Sequence, residues 1–298
     1  MDGSTGTAAP RGNGLWESVR THTLPEVPMA TRPLLTRERS PLPTETDGLN
    51  AHLGEDGVAV LEFDRPHQRN ALTLAIWQAL PGVLKRLAEE PGVRALLVTG
   101  AGGTFSAGAD IGELAVVYGD PDRADAYHAV NVAAEEALAA FPHPTVAVVH
   151  GACVGGGCQL ALACDLRFVA EDARLGITPA KLGVVYPAVP TLRLTRLVGP
   201  ARAKYLLFSG ELLPGPRAAG LGLAERVLPA AELDAAALEF ARLLTTRSPQ
   251  TIGAVKAALA VPPEQAAAAL APWERRSREA SDVHEGLAAF LERRPPRF

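Results

Sequence analysis

The chain has 298 residues, 47% of them hydrophobic, and a formal net charge of −4 at pH 7. That length supports one large domain, or one domain with an appendage, around a substantial core. The charge leaves no basic footprint for nucleic acid, and the sequence has neither a basic-then-apolar leader nor an apolar run of membrane length.

Residues 1–50, rich in Thr, Pro, Gly, Arg and Glu, read as a flexible leader. Glu17, Glu26, Glu38 and Glu45 interrupt it, whereas a targeting presequence is acid-poor. Folding is expected to begin with an apolar strand at 58–63 that ends at Asp64-Arg65-Pro66. A helical pattern starts near Leu72, where Thr73 can cap it and Ile76, Leu80, Leu84 and Leu87 recur at helical spacing. Pro81 falls inside that pattern, where a proline ends or kinks a helix. A strand at 95–99 leads into the glycine-rich turn AGGTFSAGAD, followed by a short helix from Ile111. A long helix is predicted over 121–140, with buried Ala, Val and Leu positions.

Residues 143–170 are the centre of the chain. An apolar strand at 145–149 is followed by a turn at 151–157 that holds three consecutive glycines. A short apolar helix at 158–163 and a strand at 166–169 complete the stretch. All three cysteines, Cys153, Cys158 and Cys164, lie here. Their spacing matches neither a disulfide scaffold nor a zinc pattern, so small buried thiols in a reduced, cytoplasmic compartment are expected, with no metal.

Further on, GITPAKLGVVYP suggests a shaped pocket wall. Helices are expected at 192–198 and 201–208, and a segment at 222–227 returns to a sheet. Helices at 232–245, 249–259, 263–279 and 283–291 close the chain. Strands alternating with helices and then an all-helical end predict an α/β core over 51–228 and a helical C-terminal subdomain over 229–298.

Ser106-Ala107-Gly108-Ala109-Asp110 and Val154-Gly155-Gly156-Gly157-Cys158 share one device. Each places backbone N–H groups without intrahelical partners at a helix start. Two such groups converging on one oxygen form an oxyanion hole. Neither turn has the spacing of a phosphate-binding P-loop or of a dinucleotide fingerprint. Taken alone, tight turns against a packed helix explain the glycines equally well.

Together the landmarks resemble the crotonase, or enoyl-CoA hydratase/isomerase, superfamily. They are Asp64-Arg65-Pro66 with Asn70-Ala71-Leu72, FSAGADI from Phe105, HGACVGGGCQLALACD to Asp165, Lys181-Leu182-Gly183, Arg196-Leu197-Val198-Gly199, and a tail ending in Pro296-Arg297-Phe298. The resemblance implies a spiral of ββα units, assembled as a homotrimer or a pair of trimers. It implies an acyl-coenzyme A thioester as substrate, with coenzyme A entering as part of that substrate and no tightly bound cofactor. It also implies that the backbone N–H groups of Ala109 and Gly156 are the oxyanion donors. Arg65, Arg69, Ala107 and Lys256 are then candidates for contact with the coenzyme, and the wall from Asp110 to Tyr127 is the place for acyl specificity.

The chain departs from that pattern at the acids. Hydratases of the family use two glutamates, and the corresponding positions here are Gln159 and Pro179, with Thr178 or Ala180 one register away. An amide at Gln159 holds a water or substrate but cannot take a proton. Loss of groups worth typically 10²–10⁴-fold disfavours ordinary hydration, and equally a double-bond shift that runs through the second glutamate, and leaves the oxyanion hole. Decarboxylation of a malonyl-type or glutaconyl-type thioester, which generates an enolate without a base, is one alternative. A non-catalytic acyl-CoA-binding homologue is another. Tyr186, with a phenol in the pocket-wall segment, is a candidate acid, and Glu113 another. His150 and Asp165 are expected to be structural.

Overall fold

The computed structural model describes residues 39–298. Five strands form the parallel core of a seven-stranded sheet ordered β1-β2-β3-β4-β5-β7-β10. They are β3 (Val58–Phe63), β4 (Ala95–Gly100), β5 (Thr145–Val149), β7 (Leu166–Ala170) and β10 (Arg226–Leu228). Each residue of β3, β4 and β5 is buried. That explains their unbroken apolar runs, since a parallel strand covered on both faces has no polar side to alternate with.

The edge of the sheet corrects the expected leader. β1 (Arg39–Leu42) and β2 (Leu49–Gly54) pair antiparallel with each other, and β2 pairs with β3. The boundary drawn at residue 50 therefore falls inside a strand. β1 buries only Arg39, while β2 alternates over a short stretch, with Leu49 and Ala51 buried and Asn50 and His52 between and beyond them half-buried. Buried Arg39 donates to the Val58 carbonyl and pairs with Asp56 at 3.4 Å, so a charged residue occupies an inward position. Residues 1–38 of the expected leader lie outside the described residues.

A second, three-stranded sheet runs β6 (Ala152–Val154), β8 (Arg174–Gly176) and β9 (Leu213–Pro214). The two sheets generate a repeat. After a strand of the large sheet the chain makes a short crossing, then a helix. β5 is followed by β6 and α4 (Gly156–Ala163), and β7 by β8 and α5 (Ala188–Val198). In the earlier turns single bridges replace the short strand. Leu72, before α1 (Leu74–Glu89), bridges Ala109, and Ser106, before α2 (Ile111–Val117) and α3 (Pro121–Ala139), bridges Cys153. This is the expected spiral of ββα units.

Thr73 caps α1 by accepting from the Ile76 N–H at 3.3 Å, and the helix runs through Pro81 without ending. Ile76, Trp77, Leu80, Val83, Leu84 and Leu87 form its buried face. Burying such a stripe, at about 25 cal/mol per Å², outweighs the roughly 3 kcal/mol that an interior proline costs. Helices α6 (Pro200–Ser209) and α7 (Gly215–Leu221) follow α5. α8 (Ala230–Thr245) then packs across β3, β4, β5 and β7. The end of the chain is α9 (Pro249–Leu259), α10 (Ala266–Glu279) and α11 (Ser281–Glu292), which together with α8 form the expected helical subdomain.

Candidate active site

The site is built where two crossings meet. The Ser106 N–H donates to the Ala152 carbonyl and the Val154 N–H to the Ser106 carbonyl, both at 2.9 Å. These bonds lock the turn before α2 against the turn before α4. Asn70, buried and at φ 54°, fixes the first turn from below. Its amide donates to the carbonyls of Ala101 (2.8 Å) and Thr104 (2.6 Å) and accepts from the Arg65 N–H. Ser106 Oγ donates to the Asn70 carbonyl and accepts from the Gly108 N–H.

The Leu72 N–H donates to the Gly108 carbonyl and the Asp110 N–H to the Leu72 carbonyl, which turns the intervening Ala109 N–H away from that bridge. Gly156 is the first residue of α4, so its N–H has no partner within the helix. Both residues line one cleft, and neither N–H donates to another backbone group of the described residues. A Cβ built on Gly156 would stand 3.8 Å from the Ala109 nitrogen, so the two donors are close neighbours. The same Cβ would meet Trp77 Cζ2 at 2.8 Å, and one on Gly108 (φ 98°) would meet the Val154 carbonyl oxygen at 2.8 Å. Side chains at either position would force the turns apart.

The cleft has a cavity volume of about 90 Å³ and opens to solvent. Trp77, Ile111, Leu114, Leu182 and Val184 give it an apolar wall. Tyr118 and His128 meet at 2.8 Å between Oη and Nε2, and both line it. Of the expected specificity wall, Ile111, Leu114, Tyr118 and Tyr127 reach the cleft, whereas Val116 is 63% exposed and Val117 packs on the core.

Gln159, on α4, lines the cleft, and its side chain has no hydrogen-bond partner among the described residues. Pro179 and Thr178 line it too, so that segment reaches the site without a carboxylate. The Tyr186 hydroxyl lies 3.5 Å from the Cβ position of Gly155, next to the Gly156 donor. Burial pushes its pKa up, so it is a neutral phenol at physiological pH.

Glu113 does not line the cleft. Its Oε2 accepts from the Leu74 N–H at 2.6 Å, and its carboxylate holds the start of α1. Arg65 donates to the Ala71 carbonyl at 2.6 Å and pairs with Asp110 at 3.3 Å, which ties the two loops together. Lys256 is bound to Asp165 and to the His143 carbonyl, away from the cleft. Ala107 lines the cleft, and its N–H donates to the Arg69 carbonyl at 2.9 Å. Asp165 also accepts from the Thr145 N–H at 2.8 Å, and buried His150 meets Asp234 on α8 at 2.6 Å. Both therefore hold elements together.

Sequence reasoning missed one carboxylate. Glu135 on α3 lines the cleft with its side chain 1% exposed. Arg193 Nη1 on α5 donates to its Oε2 at 3.0 Å, while Arg193 Nη2 is taken by Glu136. Burial raises the Glu135 carboxyl to about 7, against the opposing pull of Arg193. The available signal was spacing. Tyr127, Asn131 and Glu135 are polar residues four apart, which places them on one face of a helix, and that face is the buried one. Asn131, oriented to accept from Trp77 Nε1 and donate to the Tyr127 carbonyl, each at 3.2 Å, connects this stripe to the Trp77 wall.

Among the described residues no group of three or more His, Cys, Asp or Glu gathers to hold a metal, and no helix is long and apolar enough to cross a membrane. Cys153, Cys158 and Cys164 are free and buried.

Comparison with known proteins extends this geometry. A family model described as enoyl-CoA hydratase/isomerase matches residues 54–298. A Thermus thermophilus protein provisionally named an enoyl-CoA hydratase is 38% identical over 249 residues, covering 81% of this chain and 97% of the relative. The 2,3-dehydroadipyl-CoA hydratase of Escherichia coli is 34% identical over 245 residues, covering 81% and 94%. A solved enoyl-CoA hydratase from Bacillus anthracis superposes with a TM-score of 0.80 at 31% identity, covering 85% of this chain and 99% of that one. With its ββα spiral, its paired glycine turns and a family match spanning nearly all the described residues, the chain belongs to the enoyl-CoA hydratase/isomerase, or crotonase, family.

Proposed function

We propose that this chain is an acyl-coenzyme A enzyme that binds the thioester oxygen between the N–H groups of Ala109 and Gly156 and stabilises the enolate formed there. The observation that carries this is the pair of N–H groups, from separate turns, left without backbone acceptors at one cleft. Donors held in place before charge develops are worth most in a partly dry site, about 3 kcal/mol each. The apolar wall suits an acyl chain. The nucleotide end of the coenzyme is read as passing beside Ala107 and Arg69, while Arg65 and Lys256 serve the protein's own ion pairs.

Gln159 and Pro179 disfavour a two-glutamate hydration and favour chemistry whose main demand is the enolate. Within that class we read the protein as an isomerase or lyase, and decarboxylation is the second reading. The latter is favoured by Tyr186, a neutral phenol beside the hole that can protonate an enolate after CO₂ leaves. The test is turnover of a panel of enoyl-, 3-hydroxyacyl- and malonyl-type CoA thioesters, followed by absorbance and by CO₂ release. Conversion of an unsaturated or malonyl-type member is expected. Binding without conversion of any member would leave a non-catalytic acyl-CoA-binding homologue, and hydration of crotonyl-CoA at ordinary rates would overturn the argument from Gln159 and Pro179.

The assembly is read as a homotrimer or a pair of trimers, in the cytoplasm. Leu259 on α9 and Leu287, Phe290 and Leu291 on α11 are each more than 60% exposed, apolar side chains that a contact between subunits would cover. Light scattering of the purified chain tests this.

A further inference from the structure

Glu135 stands apart from the acids expected by resemblance. It comes from α3, not from α4 or the loop of Pro179. It is the one carboxylate among the residues lining the cleft. Its Oε2 is anchored by Arg193, and its Oε1 has no donor among the described residues, in a side chain 99% buried. A buried carboxylate with one oxygen held and the other unpartnered at a substrate cleft is oriented to exchange a proton with what the cleft holds. Arg193 cannot shift to a different partner easily, because its second nitrogen is tied to Glu136.

We propose that Glu135 is the proton-transfer group of this site, with Arg193 as its positioning residue. The inference rests on the acyl-CoA reading above. With the thioester oxygen between Ala109 and Gly156, Glu135 takes a proton from the carbon alpha to the thioester carbonyl, which joins the enolate as the C–H bond breaks. The C–H bond breaks, an O–H bond forms on Glu135, and the electron pair moves onto the thioester oxygen. The neutral acid then returns the proton to the same conjugated system, at the original carbon or further along it. No oxidant, reductant or second carboxylate is consumed. Burial and Arg193 act in opposite directions on the carboxyl, which keeps both protonation states accessible near neutral pH.

The experiment is deuterium incorporation from D₂O into vinylacetyl-CoA and phenylacetyl-CoA by the full chain, read by mass spectrometry, alongside calorimetric binding of the same thioesters. The native protein is expected to bind and to exchange. Glu135→Gln, nearly isosteric, should lose at least about 100-fold in exchange rate while its Kd changes less than about threefold. Glu135→Asp should retain part of the rate. Arg193→Met should move the midpoint of the pH–exchange profile upward, which a purely structural role for Arg193 would not do. Exchange by a folded Glu135→Gln at the native rate overturns the proposal, as does a native protein that binds the thioesters without exchanging them. A native protein that binds no thioester overturns the acyl-CoA reading itself, so the two failures are told apart.

Discussion

At the scale of single residues, the hole depends on two positions having no side chain. Gly156→Ala places a methyl 2.8 Å from the Trp77 ring, beside the Ala109 nitrogen. The expected result is a fall in kcat of about 10²–10³-fold in steady-state assays on a turned-over thioester. Tyr186→Phe separates the two readings of the reaction. If the phenol protonates a decarboxylation enolate, CO₂ release coupled to product formation drops at least about tenfold. Undiminished decarboxylation would remove that role. Glu135 also sets a pH dependence of stability. Its folded pKa, about 7, lies above the ordinary 4.5. Between those values the unfolded chain has lost a proton that the folded chain keeps, so this residue's contribution falls as pH rises from 4.5 to 7. Below 4.5 both states are protonated and nothing is lost. The full effect is on the order of 3 kcal/mol at about 1.4 kcal/mol per pH unit. Urea melts of native protein and Glu135→Gln should therefore show native stability falling relative to the variant across that window. A difference independent of pH would contradict the raised pKa.

At the scale of elements, α1 shows how tertiary contacts replace an expected catalytic role with a capping one. The Glu113 carboxylate reaches from α2 to the Leu74 N–H, one of the orphan donors of the α1 start. Glu113→Ala is expected to cost about 1 kcal/mol in denaturant unfolding, with thioester turnover within about twofold of native. A large loss of turnover without loss of stability would restore Glu113 as an acid. The α3 helix is the opposite case. The helix, expected from sequence over 121–140 with buried Ala, Val and Leu positions, carries Tyr127, Asn131 and Glu135 on its buried face. The spacing was legible. What it meant was not, because a polar residue on a buried helical face is tolerable only if partners on other helices satisfy it. Those partners are Trp77 on α1 and Arg193 on α5, 54 and 58 residues away in sequence.

At the scale of the molecule, α8 joins the helical end to the spiral through buried contacts. His150 at the end of β5 meets Asp234 of α8, both nearly inaccessible. Asp234→Ala leaves the imidazole buried without its partner and is expected to destabilise the protein by about 3 kcal/mol, read as a shift of the denaturation midpoint. A midpoint unchanged within error would show that this contact does not hold α8 to the sheet.

The strand runs at 58–63, 95–99 and 145–149, the Thr73 cap and both glycine turns were determined by the sequence alone. Local periodicity, capping chemistry and the absence of a Cβ act within a few residues, so they survive without a fold. β1 and β2 were not legible, because β1 buries a single residue, the charged Arg39, and the alternation of β2 spans only Leu49 to Leu53. The approach of Ala109 to Gly156 was decided by the Ser106–Cys153 bridge between crossings 47 residues apart. The place of Glu135 in the cleft was decided by the packing of α3 between α1 and α5. Both depend on which distant segments meet, and only the tertiary structure brings them together.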